Sequence, residues 1–261
     1  MANKEKVIKV EPQTREIFFN ALENNNIEKV KNIMESEVSI VDTECINEAL
    51  YEASFSGYLE IVKYLVEKGA DINSKSDLCA LSAASFNGHL EIVKYLIEKG
   101  ASNIDEALWN ASCNRDLELI KYLVDKGADV NAKVCFGETY LINAIRNQNL
   151  EIVKYFVEKG TNINNKDIYG NTALTKASER RSLEIVKYLI EHGADINAKN
   201  NYGETSLMKA SERGSLDIVK YLIEHGADVN TKNNEGETAL NLAERWELNE
   251  IIKALKEAGA I

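Results

Sequence analysis

Basic charge is scarce in this chain. Against 42 Asp and Glu there are 31 Lys and Arg, a formal net charge of -11. A general nucleic-acid or anionic-membrane binder needs a clustered Lys/Arg surplus, so both classes are excluded as expectations. Long apolar runs are missing too. No stretch approaches the length of a membrane span, and the opening MANKEKVIKVEPQT holds no apolar core of a signal peptide. A cytoplasmic protein is therefore expected. The four cysteines, Cys45, Cys79, Cys113 and Cys135, form no C-x-x-C pair and read as reduced thiols. Proline occurs once, at Pro12. The chain also lacks G-x-x-x-x-G-K, H-E-x-x-H and G-x-S-x-G. No catalytic residue, cofactor or metal is expected.

The acidic surplus is uneven. Residues 1–133 carry 15 basic against 23 acidic side chains, and residues 134–261 carry 16 against 19. Hydrophobic residues make up 44% and charged residues 28%, values of a soluble, folded protein.

What is present is a repeat. EIVKY occurs at Glu60, Glu91, Glu151 and Glu184, with ELIKY at Glu118 and DIVKY at Asp217. Diverged copies are EKVKN at Glu28 and EIIKA at Glu250. The steps between these anchors are 32, 31, 27, 33, 33, 33 and 33 residues. A period near 33 with two helices per unit is the mark of an all-α helical-repeat solenoid of about eight helix pairs.

The unit Tyr169–Ala198 shows how the pattern is built. Gly170 marks a turn, and Thr172 is a good N-cap for a short helix bearing Leu174 and Ala177. Arg180 and Arg181 end that helix, and Ser182 is placed to cap the next. There Ile185, Val186, Leu189 and Ile190 form an apolar stripe at helical spacing, with Glu184, Lys187 and Glu191 facing away. Gly193 supplies a left-handed C-terminal turn. One such unit cannot bury its stripe alone and must stack on its neighbours.

G-x-T-x-L-x-x-A followed by L-E-I-V-K-Y-L and G-A-D-I-N resembles the ankyrin-repeat family over nearly all of residues 14–261. NTALTKAS, ETSLMKAS, ETALNLAE and the GADIN or GADVN endings carry the likeness. The resemblance implies L-shaped helix pairs with projecting β-turn fingers. The family's T-P-L-H reads T-Y-L-I, T-A-L-T, T-S-L-M and T-A-L-N here, so neither its proline nor its histidine is present and the finger junctions are expected to be less rigid. The 27-residue step leaves no room for a finger between Gly100 and Leu108, where an interruption is expected. Complete fingers are expected only before the last four repeats.

The end repeats exchange apolar for polar residues: Ile61 and Tyr64 become Lys29 and Asn32, and Tyr221 and Ile223 become Ala254 and Lys256. The expected organisation is a tail over residues 1–13, with Pro12 just outside the first helix. One solenoid over 14–261 follows, with capping repeats near 14–42 and 233–261.

Candidate binding residues are those that vary while the frame repeats. Phe136, Tyr169 and Tyr202 precede the turn glycines at a spacing of 33, with Glu235 fourth. At about 10 Å per stacked repeat the three rings would line one edge, either stiffening adjacent fingers or anchoring a partner. Lys176, Arg180, Lys209, Arg213 and Trp246 recur on the first helices and the loops after them, either as a solvated face or as a groove. Phe55 and Phe86 replace Glu179 and Glu212, making the first-half groove more apolar. Trp109 reads as core. His192 and His225 precede helix-ending glycines and read as cations at helix C-termini, and His89 as a surface or capping residue.

The expected function is a monomeric protein-interaction module or scaffold with a protein partner, binding through its concave face and finger tips. The alternatives are a small-molecule or regulatory domain with an unrecognised pocket, and a self-assembling array. Periodic carboxylates mark a solvated face, not an acid–base pair.

Overall fold

An Ile-Val-x-x-Leu stripe gives a nine-residue helix one buried face, and the recurring Gly after it stops the helix by taking a left-handed turn. The structure, a computed structural model, describes residues 12–36, 42–74, 79–132 and 137–261. The expected tail falls mostly on residues 1–11, outside the described residues.

The described residues form sixteen helices and no strand. They divide into two compact units, with the boundary between Ala128 and Asp129. In the first unit the pairs are α1 (Pro12–Glu23) with α2 (Ile27–Glu35), α3 (Thr43–Ser56) with α4 (Leu59–Glu67), α5 (Ala80–Phe86) with α6 (Leu90–Glu98), and α7 (Ile104–Asn114) with α8 (Leu117–Asp125). In the second they are α9 (Tyr140–Arg146) with α10 (Leu150–Glu158), α11 (Ala173–Glu179) with α12 (Leu183–Glu191), α13 (Ser206–Glu212) with α14 (Leu216–Glu224), and α15 (Ala239–Arg245) with α16 (Asn249–Glu257). The fold class is an all-α helical-repeat solenoid, and each second helix begins one residue before its repeat anchor.

Within each unit first helices pack on first helices and second on second. The first unit buries Phe18, Leu50, Leu65, Leu81, Leu96, Leu108 and Leu119. The second buries Phe156, Leu174, Leu189, Leu207, Leu222, Leu240 and Leu255. Tyr140, where the other repeats carry Ala or Ser, is also buried and stacks on Phe156 at 5.7 Å.

Side chains join each repeat to the next. Asn197 Nδ2 donates to the Gly226 carbonyl at 3.1 Å, and its Oδ1 accepts from the Asp228 amide at 2.9 Å. Asn164 and Asn230 do the same to Gly193 with Asp195, and to Gly259 with Ile261. Asn131 repeats the pattern to Gly160 and Asn162, and Asn73 of the first unit to Gly100 and Ser102.

Several expectations change. Pro12 is the first residue of α1, not outside it; a helix start tolerates proline because its missing N–H has no partner there anyway. Ser182 stands at the N-cap of α12 without bonding a helix amide. Among the second helices, side-chain caps fall instead to Asn26, Asp116 and Asn149, while Thr172 caps its first helix as expected. Between Glu98 and Ile104 the chain turns directly from helix to helix, without a finger, as expected. The stack is nevertheless not interrupted there, since α7 packs against α5 like its counterparts. Trp109 is half-buried, not core: its equivalents Thr175 and Met208 are buried, and the indole is larger than either side chain. His89 is a tie between repeats: its Nε2 lies 3.0 Å from the Phe55 carbonyl.

Replacing Asn197 by Ala removes both of its ties. It is expected to cost about 1–2 kcal/mol in urea unfolding, while Asn241→Ala, confined to its own capping box, costs less.

A candidate interaction face on the second unit

Three tight turns precede α11, α13 and α15, and a short acceptor residue organises each. Asp167 Oδ1 accepts the amides of Tyr169 and Asn171 at 2.9 and 2.8 Å. Asn200 Oδ1 accepts those of Tyr202 and Glu204, both at 2.9 Å. Asn233 Oδ1 accepts those of Glu235 and Glu237. Side chains that fold back on their own backbone in this way fix a turn without a strand.

Adjacent turns are joined as well. The Asn201 amide donates to the Tyr169 carbonyl at 2.9 Å, and the Asn234 amide to the Tyr202 carbonyl at 2.9 Å. Asn201 Nδ2 reaches the Ile168 carbonyl, and Asn234 Nδ2 the Asn201 carbonyl. Gly170 shows how close this approach is: a Cβ there would lie 2.7 Å from the Asn201 backbone nitrogen, at a φ of +76°.

These turns hold the candidate aromatics outward. Tyr169 is 51% exposed and Tyr202 57%. Their backbones are bonded on both sides while their rings stay in solvent, so burial does not account for the rings. The third aromatic, Phe136, lies outside the described residues.

The charged candidates occupy two parallel rows. Lys176 and Lys209 take equivalent, half-buried positions on α11 and α13. Arg180, Arg213 and Trp246 occupy equivalent C-cap positions of α11, α13 and α15. Trp246 is 58% exposed and so does not close the end of the core. Arg213 reaches back across one repeat to Glu179 at 3.2 Å, and Lys176 pairs with the same carboxylate at 3.1 Å. Burial alone would raise the Glu179 carboxyl, but Lys176 and Arg213 outweigh it and hold it below the usual carboxylate range. Lys209 bridges Glu204 at 2.7 Å and Glu212 at 3.5 Å.

Tyr202 and Lys209 meet in one cleft of about 340 Å3, together with Glu204, Glu212, Glu235, Glu237 and Arg245. Of the carboxylates of this cleft, Glu204 and Glu237 were not singled out in the sequence. Their signal is G-E-T, at Gly137–Thr139, Gly203–Thr205 and Gly236–Thr238. The Glu of that motif pairs forward onto the helix it introduces: Glu138 with Arg146, Glu237 with Arg245 and Glu204 with Lys209. In the remaining repeat Asn171 stands in its place and accepts from Asn200 at 3.0 Å.

His192 and His225 lie at helix ends, each with Nδ1 2.7–2.8 Å from the carbonyl of the tyrosine four residues earlier. Cys45 and Cys79 are free thiols, and burial pushes the Cys45 thiol up to about 11. Among the described residues no cluster of three or more His, Cys, Asp or Glu could hold a metal ion. No helix among them is long and apolar enough to cross a membrane.

Family profiles match most of the chain. One described as ankyrin repeats (3 copies) covers residues 17–107 and again 108–200, and one described as ankyrin repeats (many copies) covers residues 189–243. Among curated proteins nothing matches the chain.

Two outcomes are expected. Gly170→Ala forces a Cβ onto the Asn201 backbone and destabilises more than Gly193→Ala, where nothing lies within 4 Å of the added carbon; thermal unfolding of both variants decides. The Glu179 carboxyl titrates lower in the folded chain than the ordinary 4.5, so its contribution is complete above that pH and is lost as pH falls through the lowered value. Glu179→Gln should therefore cost about 1 kcal/mol or less at pH 7, and the difference from the unchanged chain should close in acid.

Proposed function

Since the chain belongs to the ankyrin-repeat family, whose repeats generally mediate protein–protein interaction, we propose that it is a non-enzymatic binding module whose second unit engages a protein partner. The contact face consists of the turn tips and the exposed side of the first helices. The observation that carries this reading is the exposure of Tyr169 and Tyr202 on backbone that is bonded from both sides, with Trp246 exposed at the C-cap of α15. Large amphipathic rings on a fixed frame give contact area at little entropic cost, and such residues dominate interface hot spots.

Arg180 and Arg213 lie in the same row as Trp246 and add directed donors to the face. The ion pairs of Lys176 and Lys209 set the rest of the surface and limit it to partners that tolerate mixed charge. A protein fits that pattern better than a polyanion does. The protein acts as a cytoplasmic monomer that offers this face to one partner at a time.

The test is a double substitution, Tyr169→Ala with Tyr202→Ala. Binding of a partner isolated with the intact chain is expected to weaken by at least about 2 kcal/mol in titration calorimetry, with the unfolding midpoint unchanged. A lower midpoint with unaltered binding would make the rings stiffeners of the turns and remove them from the interface.

A further inference from the structure

The first unit carries a face of a different kind. Phe55 is the last residue but one of α3 and is 42% exposed, and Phe86 ends α5 and is 51% exposed. Their spacing is fixed by the repeat, about 10 Å from one first helix to the next. It is also fixed by polar ties: Asn87 Nδ2 donates to the Phe55 carbonyl at 2.9 Å, and His89 Nε2 lies 3.0 Å from the same oxygen. Gly57 makes room for that imidazole, since a Cβ there would stand 2.6 Å from its Cε1. Tyr51 stacks on Phe55 with ring centroids 6.2 Å apart.

Ahead of Phe86, α5 holds only Ala, Ser and Leu, so the floor between the neighbouring helices is low. On the far side α7 brings Trp109, half-buried. The result is an apolar trough from α3 to α7, about 20 Å across two repeat steps, the length of about 13 helical residues.

Its charge is mostly acidic. α3, α5 and α7 contain Glu44, Glu48, Glu52, Asp105 and Glu106 and not one Lys or Arg, and Arg115 stands at the C-cap of α7. The nearest cation of the preceding helix, Arg15, is already engaged by Glu48. The second unit differs here, since α11 and α13 carry their own lysines.

We infer that this trough docks a helical segment of another protein with an apolar face and a Lys/Arg rim. An apolar surface on which carboxylates outnumber cations favours a segment whose flanks are cationic, and it repels one whose flanks are acidic. The site is separate from the face proposed on the second unit, and its partner has the opposite charge requirement to a mixed-charge one.

The experiment removes the second-unit candidates first. The full chain carrying Tyr169→Ala, Tyr202→Ala and Trp246→Ala is used to select from a displayed library of random peptides about 16 residues long. Selected peptides are then titrated by fluorescence polarisation. The enriched sequences are expected to be basic, with aliphatic or aromatic residues three and four apart. Their affinity should fall at least tenfold on adding Phe55→Ser and Phe86→Ser, at an unchanged thermal midpoint. It should also weaken with salt and with Glu52→Gln plus Glu106→Gln. Because both rings are exposed, loss of folding is not the expected effect, and the midpoint checks it. Failure to enrich any peptide, enrichment of neutral or acidic ones, or affinity that survives loss of Phe55 and Phe86 would overturn the inference. So would a concentration-dependent dimer in light scattering that the two Phe substitutions abolish, which would assign the trough to a second copy of the chain. None of these outcomes touches the second-unit reading, whose residues are already absent from the selecting protein.

Discussion

An asparagine side chain that both donates to and accepts from the backbone one repeat further on is the constraint from which the second unit is assembled. A helix pair of this size cannot bury its apolar stripe against itself and needs a neighbour at a fixed distance and register. Hydrophobic contact supplies the attraction but is tolerant of sliding. The Asn tie is not: Nδ2 and Oδ1 must meet a carbonyl and an amide two residues apart in the next repeat, as Asn164, Asn197 and Asn230 do. It therefore turns a stack of similar helices into one register.

The same logic continues into the turns. Asp167, Asn200 and Asn233 fold each turn on itself, and Asn201 and Asn234 then link one turn to the next. The tips are held as firmly as the helices, and the rings they carry gain no burial from it. That separation between a bonded backbone and exposed side chains makes a binding face the best account of Tyr169 and Tyr202. The first unit solves the register problem with different groups. It has Asn73, and it adds Asn87 and His89, both against the Phe55 carbonyl near the end of α3.

The period, the fold class and the second helices were legible because EIVKY carries its burial pattern within five residues and recurs eight times in recognisable form. The exposed candidates Tyr169, Tyr202 and Trp246 were legible as positions that vary inside a constant frame. What the linear pattern hid was pairing between elements. Glu237 and Arg245 sit eight residues apart, one before a helix and one at its end, and no helical spacing links them. Glu179 and Arg213 belong to different repeats altogether. The role of His89 was hidden for the same reason, since its partner is a backbone carbonyl 34 residues earlier. Ser182 misled because a cap-forming residue type at the right position does not by itself orient its hydroxyl.

The central claim is that the turn tips of the second unit are held in place by their neighbours and so present their aromatic rings in advance of any partner. Amide hydrogen exchange at Asn201 and Asn234 tests it directly, because these two N–H groups donate to the Tyr169 and Tyr202 carbonyls. The account predicts exchange slowed to the range of the amides within α13. Exchange at the rate of an unprotected loop at both positions would contradict it, and the rings would then be carried by mobile turns.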